Sequence, residues 1–401
     1  MIKAASISYA VFMAALTALF CYGLVLVFSL NTNLEDHYQA QTDLVQDRFS
    51  ALAYARAEFK ELEPGEWLEG PGLRAGITHR FKKQPWGLFW NLSVQSIRQS
   101  DSVKQNFLVA PQMEQNDPTL YLRDNDEPLK LSGKTEIEGL IKCSSRSIKR
   151  LRINSDTKME IVQNGPVERA DKFLPKIELP ELQIDLSDVE ELYDSTELDL
   201  IIGFDQAVTV YSAGSRLENI KLKGHILVES TDTLTVAATA ELQDVIVRAP
   251  KVIVEKGFEG TVQIIAEREI ELGDEVVLHY PSALVVKTQG ASNSAILVGE
   301  ECKVSGAIVL DKMGANGSQE HIIQIGLDSE VTGQIYCGGV LELYGDVNGQ
   351  VVSSQLLYQT NTTKYTNLLK DVSLTKPEHP EWLFGLDWKS DYKPPVILKK
   401  V

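Results

Sequence analysis

The spacing of apolar and polar residues changes several times along the chain, and each change predicts a different element. Between Lys3 and Glu35 no residue is charged. That run is long enough to cross a hydrocarbon core of about 30 Å as a helix. It exceeds the roughly 7–15-residue apolar core of a cleaved signal, and 29–32 is a poor cleavage site, so residues 1–33 are expected to be an uncleaved anchor. From 34 to 63 the spacing turns helical, with Leu34, Tyr38, Val45, Phe49, Leu52, Phe59 and Leu62 near one face and no Gly or Pro before Pro64. An amphipathic stalk continuing the anchor is expected there. Residues 64–128 alternate as strands do, at 76–81 and 87–94, around the aromatics Trp67, Trp86, Phe89 and Trp90. A small β-rich element packed on those rings is the expectation.

Internal repetition dominates the rest. The segments 129–141, 296–308 and 323–335 share one pattern: aliphatic-x-aliphatic, a turn, then aliphatic-x-Gly-x-Ile. Leu129, Gly139 and Ile141 answer to Ile296, Gly306 and Ile308, and to Ile323, Gly333 and Ile335. Shortened copies carry Gly224, Gly260 and Gly349. Between them Leu222, Val228, Leu234, Ala240, Ile246, Val252, Phe258, Ile264, Ile270 and Val276 fall every sixth residue, and all are apolar. Six residues per face and three faces give about 18 per coil, so Leu234, Val252 and Ile270 should stack. One coil cannot hide its apolar side, so coils must share a core. The predicted fold is therefore mainly β: a single-stranded β-helix, a three-faced β-solenoid, over 129–353, with the transmembrane and stalk helices before it. An excursion is expected at about 143–216, with a short helix opening at Ser187. The Pro- and aromatic-rich tail, 354–401, including Trp382, Phe384 and Trp388, is expected to cap the exposed end; the alternative is a free tail whose aromatics form a partner-docking arm.

The coil pattern of 296–308 and 323–335 resembles that of bactofilins, the polymer-forming bacterial cytoskeletal proteins. The resemblance covers about two fifths of the chain, 129–141 and 217–353. It implies a triangular right-handed β-helix able to associate end to end. The continuous N-terminal rod resembles the spine of type IV pilins and pseudopilins, without a Gly-Phe processing site.

Composition narrows the function. A net charge of −17 opposes nucleic-acid binding, because phosphates need clustered cations. The one basic cluster, Lys142, Arg146, Lys149, Arg150 and Arg152, reads as a solvated face. Lys3 before the anchor and Glu35, Asp36, Asp43 and Asp47 after it place the N-terminus inside and the body outside a bacterial cytoplasmic membrane, in the periplasm. Four cysteines, Cys21, Cys143, Cys302 and Cys337, are too scattered for a disulfide framework or a zinc site.

No catalytic motif is present, and His37, His79, His225, His279, His321 and His379 lack metal-ligand spacing. Two enzyme classes use solenoids. Hexapeptide-repeat acyltransferases need a histidine base, for which His225, His279 and His321 are the candidates. Glycan-active β-helices need paired carboxylates, for which Glu267, Glu269, Glu271, Asp274 and Glu275 are the candidates; a solvated strand face gives the same pattern. Asn91 and Asn361 begin Asn-x-Ser/Thr triplets. The expectation is a non-enzymatic, membrane-anchored scaffold without cofactor or metal, assembling with itself or with protein partners.

Overall fold

The computed structural model describes residues 2–72, 74, 76–98, 101–144, 147–153, 158–180, 189–192, 198–289, 293–313, 320–379, 383–388 and 394–401. They form two compact units: residues 1–82 with 93–105, and 83–92 with 106–401. The second half of the Phe173–Leu186 stretch, Ser187, Arg146 and Trp382 lie outside the described residues.

In the first unit a single helix runs over Ile2–Ala57. Its N-terminal part is long and apolar enough to span a membrane, and Ile7, Leu19, Phe20 and Phe28 are exposed there. From residue 40 onward one stripe is buried, Ala40, Leu44, Asp47, Ala51 and Ala55, at the three- and four-residue spacing of one helix face. The strands Leu68–Pro71 and Thr78–Trp86 pair antiparallel, with Leu68 opposite Phe81. Phe81 is fully buried against Tyr54 of the helix, ring centroids 5.5 Å apart.

The second unit is built around an almost wholly parallel sheet of 22 strands. Leu234 lies opposite Val252, Val252 opposite Ile270, Ile270 opposite Ile296, Ile296 opposite Ile323 and Ile323 opposite Leu341. All six side chains are fully buried in one continuous aliphatic core. A second inward row runs Tyr211, Val228, Val247, Ile264, Leu284, Ile308, Ile335, Val351, Leu120, Ile141. The β-branched and leucine side chains suit a pleated face, and each completely buried one contributes about 1.5–3 kcal/mol.

The spacing of the rows is uneven. The steps 234 to 252, 252 to 270 and 323 to 341 are 18 residues (252 − 234, 270 − 252, 341 − 323), whereas 270 to 296 and 296 to 323 are 26 and 27. Extra residues inserted between strands lengthen those turns without disturbing the ladder. Ile246 departs from the six-residue series. A register shift between Gln243 and Val245 turns Val245 and Val247 inward and Ile246 outward, where Trp86 and Leu227 cover it.

Among the recurrent glycines, Gly306 and Gly333 lie opposite each other. Gly333 has φ 135°, and a Cβ there would sit 1.9 Å from the Gly306 carbonyl oxygen. Strand stacking at that corner therefore admits only glycine. Gly139, Gly224 and Gly349 share positive φ, but Gly260 does not; its bare Cα makes room for the Phe258 ring.

Three expectations are corrected. First, the repeats do not run simply from 129 to 353. Leu120–Leu122 pairs with 351–353, and Leu374 of the tail lies between Val347 and Ile137. The N-terminal strands within 120–143 and 160–169 thus continue the ladder beyond its C-terminal strands. Second, Val189–Leu192 is a strand on Val210–Ala213; parallel pairing with a neighbouring strand satisfies its backbone groups, where so short a helix would be costly to nucleate. Third, the tail does not close the end of the sheet. Phe384 and Leu386, with Phe89, Leu88 and Ile177, cover the outward side chains Ala283, Val285, Ala307, Val309, Tyr336, Val352 and Tyr121. That outer face is apolar, so it requires a lateral cover. Outward glutamines fasten the cover: Gln263 donates to the Trp86 carbonyl (3.0 Å) and accepts from the Leu88 N–H (2.7 Å), while Gln334 accepts from the Leu386 N–H (2.6 Å).

Candidate functional site

A surface hollow of about 690 Å³ lies over the outward residues of five adjacent strands. One row there carries Asp199, Lys221 and Glu241, and the next carries Ile201, Lys223, Gln243 and Thr261. Glu241 and Glu259 occupy neighbouring strands, the arrangement glycan hydrolysis needs. Each already has a partner: Glu241 pairs with Lys221 at 2.7 Å, and Glu259 lies 2.7 Å from His279 Nε2. His279 and Glu259 are both exposed, and neither glutamate sits in the apolar surroundings that would poise a carboxylic acid for proton donation. The hollow is a paired, solvated face.

The acidic stretch at 267–275 is similar. Lys251 bridges Glu269 (3.1 Å) and Glu271 (3.4 Å), Glu275 pairs with Lys256 (2.7 Å), and Asp274 accepts from the Glu300 N–H (3.0 Å). Glu267 is exposed. Burial is the largest single influence on Lys251 and lowers its pKa, but the hydrogen bonds it donates to Glu269 and Glu271, with their negative charge, outweigh it and the pKa is raised.

The three candidate histidines do not meet. His225 is buried between Trp86 and Phe204, ring centroids 4.5 and 4.8 Å away, with Nδ1 2.9 Å from the Gln206 carbonyl. Burial lowers its pKa to about 4. His321 Nδ1 lies 2.7 Å from Ser294 Oγ, and both residues are buried. His279 is outside on the hollow. Asn91 is 1% exposed, and its side-chain amide donates to the Phe204 carbonyl at 3.3 Å, so it is a packing residue. Asn361 lies in an exposed turn.

The first unit holds a Ser–His–Asp arrangement that spacing in the sequence did not reveal. His79 Nδ1 lies 3.0 Å from Ser96 Oγ, and His79 Nε2 lies 3.0 Å from Asp47 Oδ2. The three residues are 1%, 1% and 4% exposed. A nucleophile sealed from solvent meets no substrate, so this relay ties the helix to the strands. His37 with Asp101 (3.0 Å) and Arg98 with Asp43 (2.7 Å) make further ties. Among the described residues no cluster of three or more His, Cys, Asp or Glu side chains is arranged to hold a metal ion. Cys143, Cys302 and Cys337 are buried and joined in no disulfide, and burial raises the pKa of Cys302 and pushes that of Cys337 up to about 12.

The ends of the parallel sheet are its least satisfied surfaces. In the described pairings Leu198–Ile202 bonds only to Ile220–Gly224, and at the far end Glu160–Asn164 bonds only to Lys134–Glu138. Leu198, Leu200 and Ile202 at one end, and Ile148, Ile161 and Val167 at the other, are only partly buried against the aliphatic core. Ile201 is 73% and Val162 43% exposed. Lys149, Arg150 and Arg152 are exposed beside the second end, and Asp199 and Asp205 beside the first.

Set against family models, curated proteins and solved structures, the chain matches none. The likeness to bactofilins therefore rests on the repeat residues themselves.

Proposed function

We propose that this chain is a non-enzymatic scaffold anchored in a bacterial cytoplasmic membrane by one N-terminal helix, with its N-terminus inside. Its periplasmic body is a three-faced β-solenoid that assembles with further copies through its ends. The single observation that carries the reading is the state of those ends. Among the described residues each end strand has one edge without a pairing partner, and inward aliphatic side chains there are only partly buried. Exposed strand edges are templates for pairing. Because the strands at both ends run in the same sense, a second copy's first strand can continue the first copy's last one. The basic residues Lys149, Arg150 and Arg152 near one end and Asp199 and Asp205 near the other favour that order. The unbroken row of six aliphatic residues from Leu234 to Leu341 supports the solenoid reading. The partner already held by each glutamate of the hollow supports a non-catalytic surface.

Mass measurement of the full chain in mild detergent by light scattering tests this. Species larger than one chain, growing with concentration, are expected. A strictly monomeric particle with no co-purifying protein would refute it.

The continuous helix Ile2–Ala57 favours a second reading, a pseudopilin-like part of an envelope machine. Recovery of secretion or pilus subunits with the tagged chain would support that reading, and their consistent absence would remove it.

A further inference from the structure

We propose that a pocket of about 310 Å³ on the outer side of the parallel sheet binds a small zwitterion, an α-amino acid with an aliphatic side chain. Its floor comes from adjacent strands. Ile322 lies opposite Val340 and Val340 opposite Gln355, and all three belong to the outward row. Glu342 and Leu357 follow in the next outward row. The antiparallel return of the chain sets Lys364 opposite Gln359 and supplies one wall, and Arg123 lies on the rim, its N–H donating to the Ser353 carbonyl at 3.0 Å. Gly339 lets the backbone close on the strand beside it, since a Cβ there would sit 2.0 Å from the His321 carbonyl oxygen.

The chemistry of the lining selects the ligand. Glu342 is only 8% exposed, yet the one hydrogen bond to its carboxylate is from the Tyr344 hydroxyl at 3.5 Å, the long limit of such a contact. Neither oxygen of this carboxylate is sealed from water without a partner, so it keeps the capacity to accept from a donor that enters the pocket. Burial raises its pKa, and the positive charge of Lys364 works against that rise. Arg123 and Lys364 form no ion pair among the described residues, and they share the pocket lining with two carboxylates, Glu342 and the exposed Glu320. An ammonium group on Glu342 and a carboxylate on Arg123 and Lys364 satisfy both signs at once. Ile322, Val340 and Leu357 leave an apolar surface for an aliphatic side chain. The volume sits at the small end of ligand pockets, which suits a single amino acid better than a polymer.

Calorimetric titration of the full chain in mild detergent with L-leucine, N-acetyl-L-leucine and L-leucinamide tests the proposal. Leucine is expected to bind saturably at one site per chain, and both blocked analogues at least about tenfold more weakly. Glu342→Gln, close in shape, is expected to weaken leucine at least about tenfold without changing the melting temperature. Arg123→Gln is expected to weaken leucine and leave leucinamide unchanged. Absence of saturable binding at millimolar leucine would overturn the proposal. So would equal binding of the three compounds, or indifference to Glu342→Gln.

Discussion

Acidification of the folded protein meets a specific obstacle at His225. Its ring lies between Trp86 and Phe204 and is 4% exposed. Burial is the cause of its depressed pKa, about 4 against an ordinary 6.5, and the nearby Gln206 carbonyl restores only part of the loss. The unfolded chain takes up a proton near pH 6.5, while the folded chain resists until about pH 4. The stability that depends on a neutral ring is therefore complete above about pH 6.5 and disappears as the pH falls toward 4. At about 1.4 kcal/mol per unit over some 2.5 units, this amounts to about 3 kcal/mol. Urea unfolding of the full chain in mild detergent, followed by tryptophan fluorescence between about pH 7 and pH 4, measures it. His225→Phe keeps an aromatic ring and removes the titration. Carboxylates that titrate in acid affect both proteins alike, so the wild type should lose about 3 kcal/mol more than the variant. Parallel pH curves for the two proteins would refute the reasoning.

Other perturbations probe the ladder and its cover. Ile270→Ala removes a fully buried side chain between Val252 and Ile296 and should cost about 2–5 kcal/mol in urea unfolding. Gly333→Ala places a methyl group against the Gly306 carbonyl at positive φ; a loss of at least about 1–3 kcal/mol is expected, readable as a lower melting temperature. Gln263→Ala leaves the Trp86 carbonyl and Leu88 N–H without their shared partner and should cost about 2–4 kcal/mol, with a changed Trp86 environment in near-ultraviolet dichroism.

Several features were readable from the chain because they are local and periodic. Leu234, Val252 and Ile270 could be aligned because no insertion interrupts the 18-residue step there. The uncharged run from Ala4 to Leu34 was readable because a membrane-length helix needs only length and apolarity. Periodicity marks a residue as apolar without giving its side, so it could not distinguish Ile246, outward beneath Trp86, from Val245 and Val247 within. The segment 129–141 was recognisable as a coil, but no local signal says that it stacks beyond 346–359. That order depends on long-range pairing such as Val351 with Leu120. The tail aromatics announced a covering role, while the surface that Phe384 helps to cover depends on two neighbouring outward rows, one with Ala283 and Ala307 and one with Val285, Val309, Tyr336 and Val352. The Ser96–His79–Asp47 relay joins a helix to two strands and leaves no linear motif.

The inward row running through Leu278, Val304, Val331, Val347, Leu374 and Ile137 has Gln163 at one end of the sheet and Leu200 at the other, the latter through Leu222 and Leu242. Chains bearing Gln163→Cys and chains bearing Leu200→Cys, mixed in mild detergent and oxidised gently, test end-to-end stacking most directly. Head-to-tail continuation predicts a disulfide-linked dimer between the two kinds of chain and little within either kind alone. A mixture that gives no such dimer, or no more than each variant gives by itself, would contradict it.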